Sequence, residues 1–367
     1  YYTVAWLLQL IGAGLMVLRW AALVTGIAIL LVALTVARRV MVWPFAAAAG
    51  LLTTVWGWFL VTPNFYSLEA ALLSLIALAC YVHGAPARRW MIAAGVAAGA
   101  TAMVKQNVGA YTAAGIFLTI WLSRLFDHPD WRGRMKMSGQ FIAGVSLPVL
   151  ATVAWLAASG AGSYLYESWV YYPLVKYTER FARPFPDFFP IVESDPFDLW
   201  TKLVIYLPVI VYPLAFVAIG VLSWRFQRRG DRAAKHEGHA LLAITAVGLL
   251  MLLQAWPRAD VPHILFGLQP TFILFAYLLS WAWRGLKSVP GPRIAIAAIA
   301  MIVAIAPAAT LLWKGYKRTD WEYQNYIVAV RTDRAKGIFA AGLEAQRIDI
   351  VTKYIAEHTS PDDPIFV

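Results

Sequence analysis

LLAITAVGLLMLLQAWPRADVPHILFGLQPTFILFAYLLSWAW, residues 241–283, decides the fold. Two apolar runs, Leu241–Trp256 and Ile264–Trp283, meet at a hinge that carries Arg258, Asp260 and His263. Runs of this length approach the roughly 20 residues that a helix needs to cross the hydrocarbon core. A membrane hairpin requires only a polar turn, so three ionisable side chains there ask for a reason. Either they form a solvated turn, or they line a site that handles a charged group at the bilayer surface.

The same pattern recurs along the chain, of which 60% is hydrophobic and only 14% charged. Apolar runs at Leu15–Ala37, Pro44–Val61, Tyr66–Val82, Met91–Val104, Val108–Leu122, Phe141–Ala158, Leu203–Trp224 and Ile294–Trp313 join the two above to predict about ten spans. Backbone polar groups must be satisfied within the segment in lipid, so the fold class is all-α and polytopic. A net charge of +11 belongs to short loops here, and it does not indicate nucleic-acid binding. Cys80, the one cysteine, lies in an apolar run, which excludes a disulfide framework or a thiolate metal cluster.

Loop charge predicts orientation. Alternate connections hold Arg38 and Arg39; Arg88 and Arg89; Arg124, Arg132, Arg134 and Lys136; Arg225, Arg228, Arg229, Arg232 and Lys235; then Arg284, Lys287 and Arg293. The connections between these hold Lys105 alone, a few basic residues in the long loop Gly160–Lys202, and Arg258 alone. By the positive-inside rule the first set is cytoplasmic. Lys105, Gly160–Lys202, Arg258–His263 and the C-terminus then share the outer side of a cell membrane.

In the long loop, SYLYESWVYYPLVKY is dense in Tyr and Trp, as expected at headgroup level. RPFPDFFPIVESDPFD follows, and its prolines predict an irregular, ordered segment. The loop serves either as a membrane anchor or as a cover for a lipid substrate. Residues 1–313 thus form a transmembrane module, and 314–367 begin a soluble α/β domain on the outer side. Ile348, Val351, Tyr354 and Ile355 make one helical stripe there, SPDDP ends the helix, and Ile365–Val367 reads as a strand. The chain opens on Tyr1 and stops at Val367 in mid-unit, so residues are expected beyond both ends.

Charges at or within spans are functional candidates. Glu69 lies just inside an outer helix end, where the helix dipole alone also favours an anion. Lys105, followed by Gln106 and Asn107, offers donors suited to a phosphate or a sugar, although snorkelling is the ordinary role of such a lysine. Arg258 suits bidentate phosphate binding. Asp260 is a candidate catalytic carboxylate or simply the surface partner of Arg258. His263 is a candidate binding residue or an interfacial one. Arg19 is explained by snorkelling. No Walker loop, dinucleotide fingerprint or nucleophile elbow occurs.

Three stretches carry a family likeness: GLMVLRWAALVTGIAILLVALTVARRV, GVAAGATAMVKQNVGAY and AWPRADVPHILFGLQPTFILFAYLL. In order and topology the chain resembles the integral-membrane glycosyltransferases of the GT-C fold. The likeness is to the branch of protein O-mannosyltransferases and lipid A aminoarabinose transferases. The resemblance implies transfer of a sugar from a polyprenyl-phosphate donor to a glycan, lipid or protein acceptor outside the cytoplasm. It implies that Lys105 and Arg258 stabilise the phosphate, with Gln106, Asn107 and His263 alongside, and that Glu69 and Asp260 supply carboxylates. The family's principal acidic base belongs to an outer loop that would precede Tyr1. Members divide over divalent-metal use, so the cofactor is left open. The chain departs from the family in having Gln106 after the lysine, where glycine is common, and His263 where tyrosine is frequent. Two other readings remain: a transporter or flippase for an anionic or lipid-linked substrate, and a non-catalytic scaffold. Transporter sites usually lie near the bilayer midplane, whereas these charges gather at one boundary.

Overall fold

Apolar composition makes most of the described chain helical. In the computed structural model the described residues are 10, 15–57, 65–84, 87–126, 130–162, 164–190, 196–285, 328–331, 339–360 and a few single positions between 295 and 325. The chain divides into two compact units, Thr25–Ala308 and a second made of Tyr1–Val24 with Ala309–Val367.

The helices, numbered in chain order, are α1 (Leu15–Arg38), α2 (Trp43–Gly57), α3 (Phe65–Gly84), α4 (Arg88–Val104), α5 (Gln106–Leu122) and α6 (Trp131–Ala158). A helical segment, α7, then runs over 164–181 with wide π turns at Glu167–Lys176. It is followed by α8 (Pro196–Arg229), α9 (Arg232–Met251), α10 (Val261–Gly267) and α11 (Gln269–Gly285). Among the described residues six helices are long and apolar enough to cross a membrane, seven if α10 and α11 count as one broken span. The protein is therefore read as multi-pass. The expected ten spans shrink because α2 and α4 have only 15 and 17 described helical residues, and Ile294–Trp313 falls largely outside the described residues.

Two boundaries differ from the sequence reading. The run Ile264–Trp283 is not one rod, because α10 and α11 are bent by 57° at Leu268. The helix expected from Leu203 begins at Pro196, so Lys202 lies on α8, where it pairs with Asp198 at 3.5 Å.

Small residues set the packing. A Cβ added to Gly95 would fall 2.2 Å from the Phe141 carbonyl oxygen, and one on Gly144 would fall 2.3 Å from that of Ile92. The α4 and α6 backbones therefore touch, the arrangement that small residues permit where lipid gives no hydrophobic drive. α9 is the buried centre of the unit and packs on α3, α5, α8 and α11. α6 lies at the edge and exposes Leu147, Leu150 and Trp155.

One end of the unit is tied by polar connections. Arg284 and Tyr277 donate to Glu237 at 2.6 and 2.8 Å, Arg225 pairs with Asp231 at 2.6 Å, and Ser223 donates to the Leu125 carbonyl at 2.9 Å. α9 runs from this end to the hinge at 256–260.

In the second unit, Val328–Ala329 pairs antiparallel with Phe339–Ala340, and a helix, α12, spans Gly342–His358. The helix agrees with the sequence reading, but Ile348, Val351 and Tyr354 are exposed. Ile365–Val367 and the SPDDP residues after Ser360 lie outside the described residues, as do Arg19's side chain and the first nine residues.

Candidate functional site

Lys105 is the whole connection between α4 and α5. Its extended backbone, φ −149° and ψ 103°, ends one helix and begins the next. The two helices stay together because Gly109 lies against Ala102, whose backbone nitrogen is 2.2 Å from where a Cβ would be. A bulkier residue would force the hinge open.

The hinge delivers the Lys105 ammonium to α3 and α10. It donates to the Ser67 hydroxyl at 3.2 Å and lies over the rings of Tyr66, 5.6 Å, and Phe266, 5.7 Å. Aromatic faces accept a cation while excluding water from it. Burial lowers its pKa to about 8, and the Asp260 charge opposes that shift.

Asp260 organises the second half. As the N-cap of α10 it accepts from the His263 backbone N–H at 3.2 Å through Oδ1. The same oxygen accepts from the His263 ring Nδ1. Oδ2 accepts from Arg258 Nε at 2.5 Å. Burial raises the Asp260 pKa, but His263 and then Arg258 outweigh it, and the carboxyl stays below its ordinary value. An ionised carboxylate accepts only, so Nδ1 of His263 carries a proton. Asp260 with both oxygens engaged is a positioning group for its two neighbours.

The long loop joins the hinge. The Arg183 N–H donates to the Pro257 carbonyl at 3.0 Å, and the Ala259 N–H donates to the Arg183 carbonyl at 3.2 Å. This is a parallel bridge between Arg183 and Arg258. Pro184 biases Arg183 toward extended backbone, which is why that residue can pair. Tyr206 of α8 holds the loop from below, donating to the Pro186 carbonyl at 2.9 Å and meeting Phe185 and Phe188 edge-on. Of the segment 183–198 expected to be irregular, 183–190 are so, 191–195 lie outside the described residues and 196–198 begin α8. The Tyr177 hydroxyl of α7 lies close enough to Arg258 to interact with it electrostatically.

Lys105, Arg258, Asp260 and His263 therefore converge although they are far apart in sequence. The electrostatic coupling of Lys105 to Asp260 and of His263 to both cations expresses that proximity. Glu69 is half-buried on the α3 turn that carries Tyr66, three residues earlier and on the same face. Gln106 is exposed, and Asn107 turns its Oδ1 back to the Val108 N–H at 2.9 Å. Neither joins Lys105 through a hydrogen bond among the described residues.

Sequence reasoning did not find Tyr66, Ser67, Phe266, Tyr177 or Arg183. Only Arg183 left a signal, an arginine before proline in a segment otherwise built to be extended. No group of three or more His, Cys, Asp or Glu that could hold a metal ion occurs among the described residues. The cationic surroundings and the doubly bonded Asp260 do not fit a divalent ion.

No family model, curated protein or solved structure matches the chain.

Proposed function

We propose that the chain is a membrane glycosyltransferase that moves a sugar from a polyprenyl-phosphate donor to an acceptor on the outer side of the membrane. The observation that carries the reading is the half-buried Lys105 ammonium, electrostatically coupled to Asp260 and His263, with Arg258 bound to Asp260, at one end of an apolar bundle. A merely snorkelling lysine reaches water, whereas this one is caged by Tyr66 and Phe266.

In this reading the acceptor hydroxyl oxygen attacks the anomeric carbon. The bond from that carbon to the phosphate oxygen breaks, and polyprenyl phosphate leaves with the electron pair. Lys105 and Arg258 stabilise the charge that grows on the leaving phosphate, in surroundings drier than bulk water. Asp260 sets the direction of Arg258 and the tautomer of His263. Glu69 supplies a carboxylate from α3 for the acceptor's proton, and Gln106 and Asn107 flank the lysine.

The test is transfer from a polyprenyl-phosphate sugar by the full-length protein in vesicles. Lys105→Ala and Arg258→Ala are each expected to lower turnover roughly a hundredfold to a thousandfold at normal expression, the usual cost of removing one donor from a developing charge. Arg258→Lys recovers part of the rate, because charge survives without the planar fork. Wild-type turnover in both alanine variants would refute the phosphate site.

A second reading is favoured by one observation, the 57° break between α10 and α11 flanked by Gln254 and Gln269. Both amides are buried and have no hydrogen-bond partner among the described residues. Discontinuous helices are characteristic of transporters. Movement of a polyprenyl-phosphate lipid between leaflets with no sugar transfer would select that reading.

A further inference from the structure

We propose that Arg183 of the long loop is a second guanidinium for the lipid phosphate, forming with Arg258 a clamp that the parallel bridge builds. The inference rests on the phosphate reading given above. It adds a binding residue and gives the loop a role beyond anchoring.

The backbone decides it. Adjacent extended segments lie about 4.8 Å apart, and paired residues send their side chains to the same face. The Arg183–Arg258 bridge is held by two hydrogen bonds, so two arginines are fixed side by side without using either guanidinium. Like charges directly opposite are destabilising unless something between them is negative. Asp260 does not serve both: it takes Arg258 through Nε and gives its other oxygen to His263. Arg183 is exposed, and its side chain makes no hydrogen bond or ion pair among the described residues. Arg258 keeps donors beyond Nε, since a guanidinium has five N–H groups.

Two neighbouring guanidinium groups match the oxygens of a phosphate, each able to bind bidentately. Tyr164, Tyr166 and Phe189 of the same loop are exposed aromatic side chains, suited to headgroup depth. That setting favours a phosphate on a lipid over one free in solution. The loop thus brings its arginine to the hinge and its aromatic rings to the membrane.

The experiment measures binding of undecaprenyl phosphate to the full-length protein in nanodiscs, with undecaprenol and inorganic phosphate as the other probes. Arg183→Ala leaves both bridge hydrogen bonds in place, since they use only backbone. It is expected to weaken undecaprenyl phosphate roughly tenfold to a hundredfold and to leave undecaprenol unchanged. Arg183→Lys should fall between, and Arg183→Gln provides a second neutral variant should the alanine protein express poorly. If the Arg183 variants bind like wild type while Arg258→Ala loses binding, the clamp is refuted and the proposed function stands. Should Arg258→Ala and Lys105→Ala also bind like wild type, the phosphate reading itself fails. Inorganic phosphate binding as tightly as the lipid would overturn the lipid assignment.

Discussion

The Lys105 ammonium donates to the Ser67 hydroxyl at 3.2 Å, across 38 residues of sequence and from a hinge one residue long. This contact binds the α4–α5 connection to the first turn of α3 and holds a cation where water is scarce. Its consequences are measurable in pH.

With a pKa of about 8, Lys105 is an ammonium below that pH and neutral above it. Transfer that depends on its charge is expected to fall as pH rises through about 8 in kcat/KM. Lys105→Arg, charged at every accessible pH, should move that decline well to the alkaline side. An unchanged descending limb in the arginine variant would show that another group titrates.

The same shift bears on stability. The folded pKa lies below the ordinary 10.5, so the charged form opposes folding. The penalty is full below about 8 and disappears as pH rises past 10.5. Lys105→Met is therefore expected to gain up to about 3 kcal/mol at neutral pH, less what the Ser67 bond and the ring contacts contributed, while losing phosphate binding. A lower thermal midpoint with binding intact would contradict this.

Asp260→Asn keeps an oxygen for the α10 N-cap but removes the charge that orders Arg258 and His263. Turnover is expected to drop about tenfold or more, because hydrogen bonds to a charged group are worth roughly 1.5–3 kcal/mol. The fold should survive. Asp260→Ala, which also deletes the cap, should cost about a further 1 kcal/mol of stability. Equal activity of Asp260→Asn and wild type would remove Asp260 from the site.

Gly95→Leu is expected to abolish a monodisperse protein in detergent, since its side chain has no space beside the Phe141 carbonyl and Gly144. Gly139→Leu, with nothing within 4 Å of its added Cβ, should be tolerated. Size-exclusion profiles of the two variants check the α4–α6 contact.

Orientation is tested by cysteine labelling in a Cys80→Ser background. An impermeant reagent on intact cells should label Tyr166→Cys and leave Arg229→Cys untouched. Labelling of Arg229→Cys would reverse the assignment of sides.

The sequence by itself determined the helical, membrane-embedded class, because apolar runs of near-bilayer length admit few other structures. It also singled out Lys105, Arg258, Asp260 and His263, since charge at a span boundary is costly enough to stand out against an apolar background. The break between α10 and α11 at Leu268 falls between Gly267 and Pro270, a local breaker signal that reading Ile264–Trp283 as one apolar run passed over. The sequence could not reveal the cage around Lys105, because Tyr66, Ser67 and Phe266 are unremarkable residues until helix packing brings α3, α5 and α10 together. The pairing of Arg183 with Arg258 was likewise decided by tertiary structure: a bridge between segments 75 residues apart depends on where α8 and the hinge place two backbones, and no local preference encodes that distance.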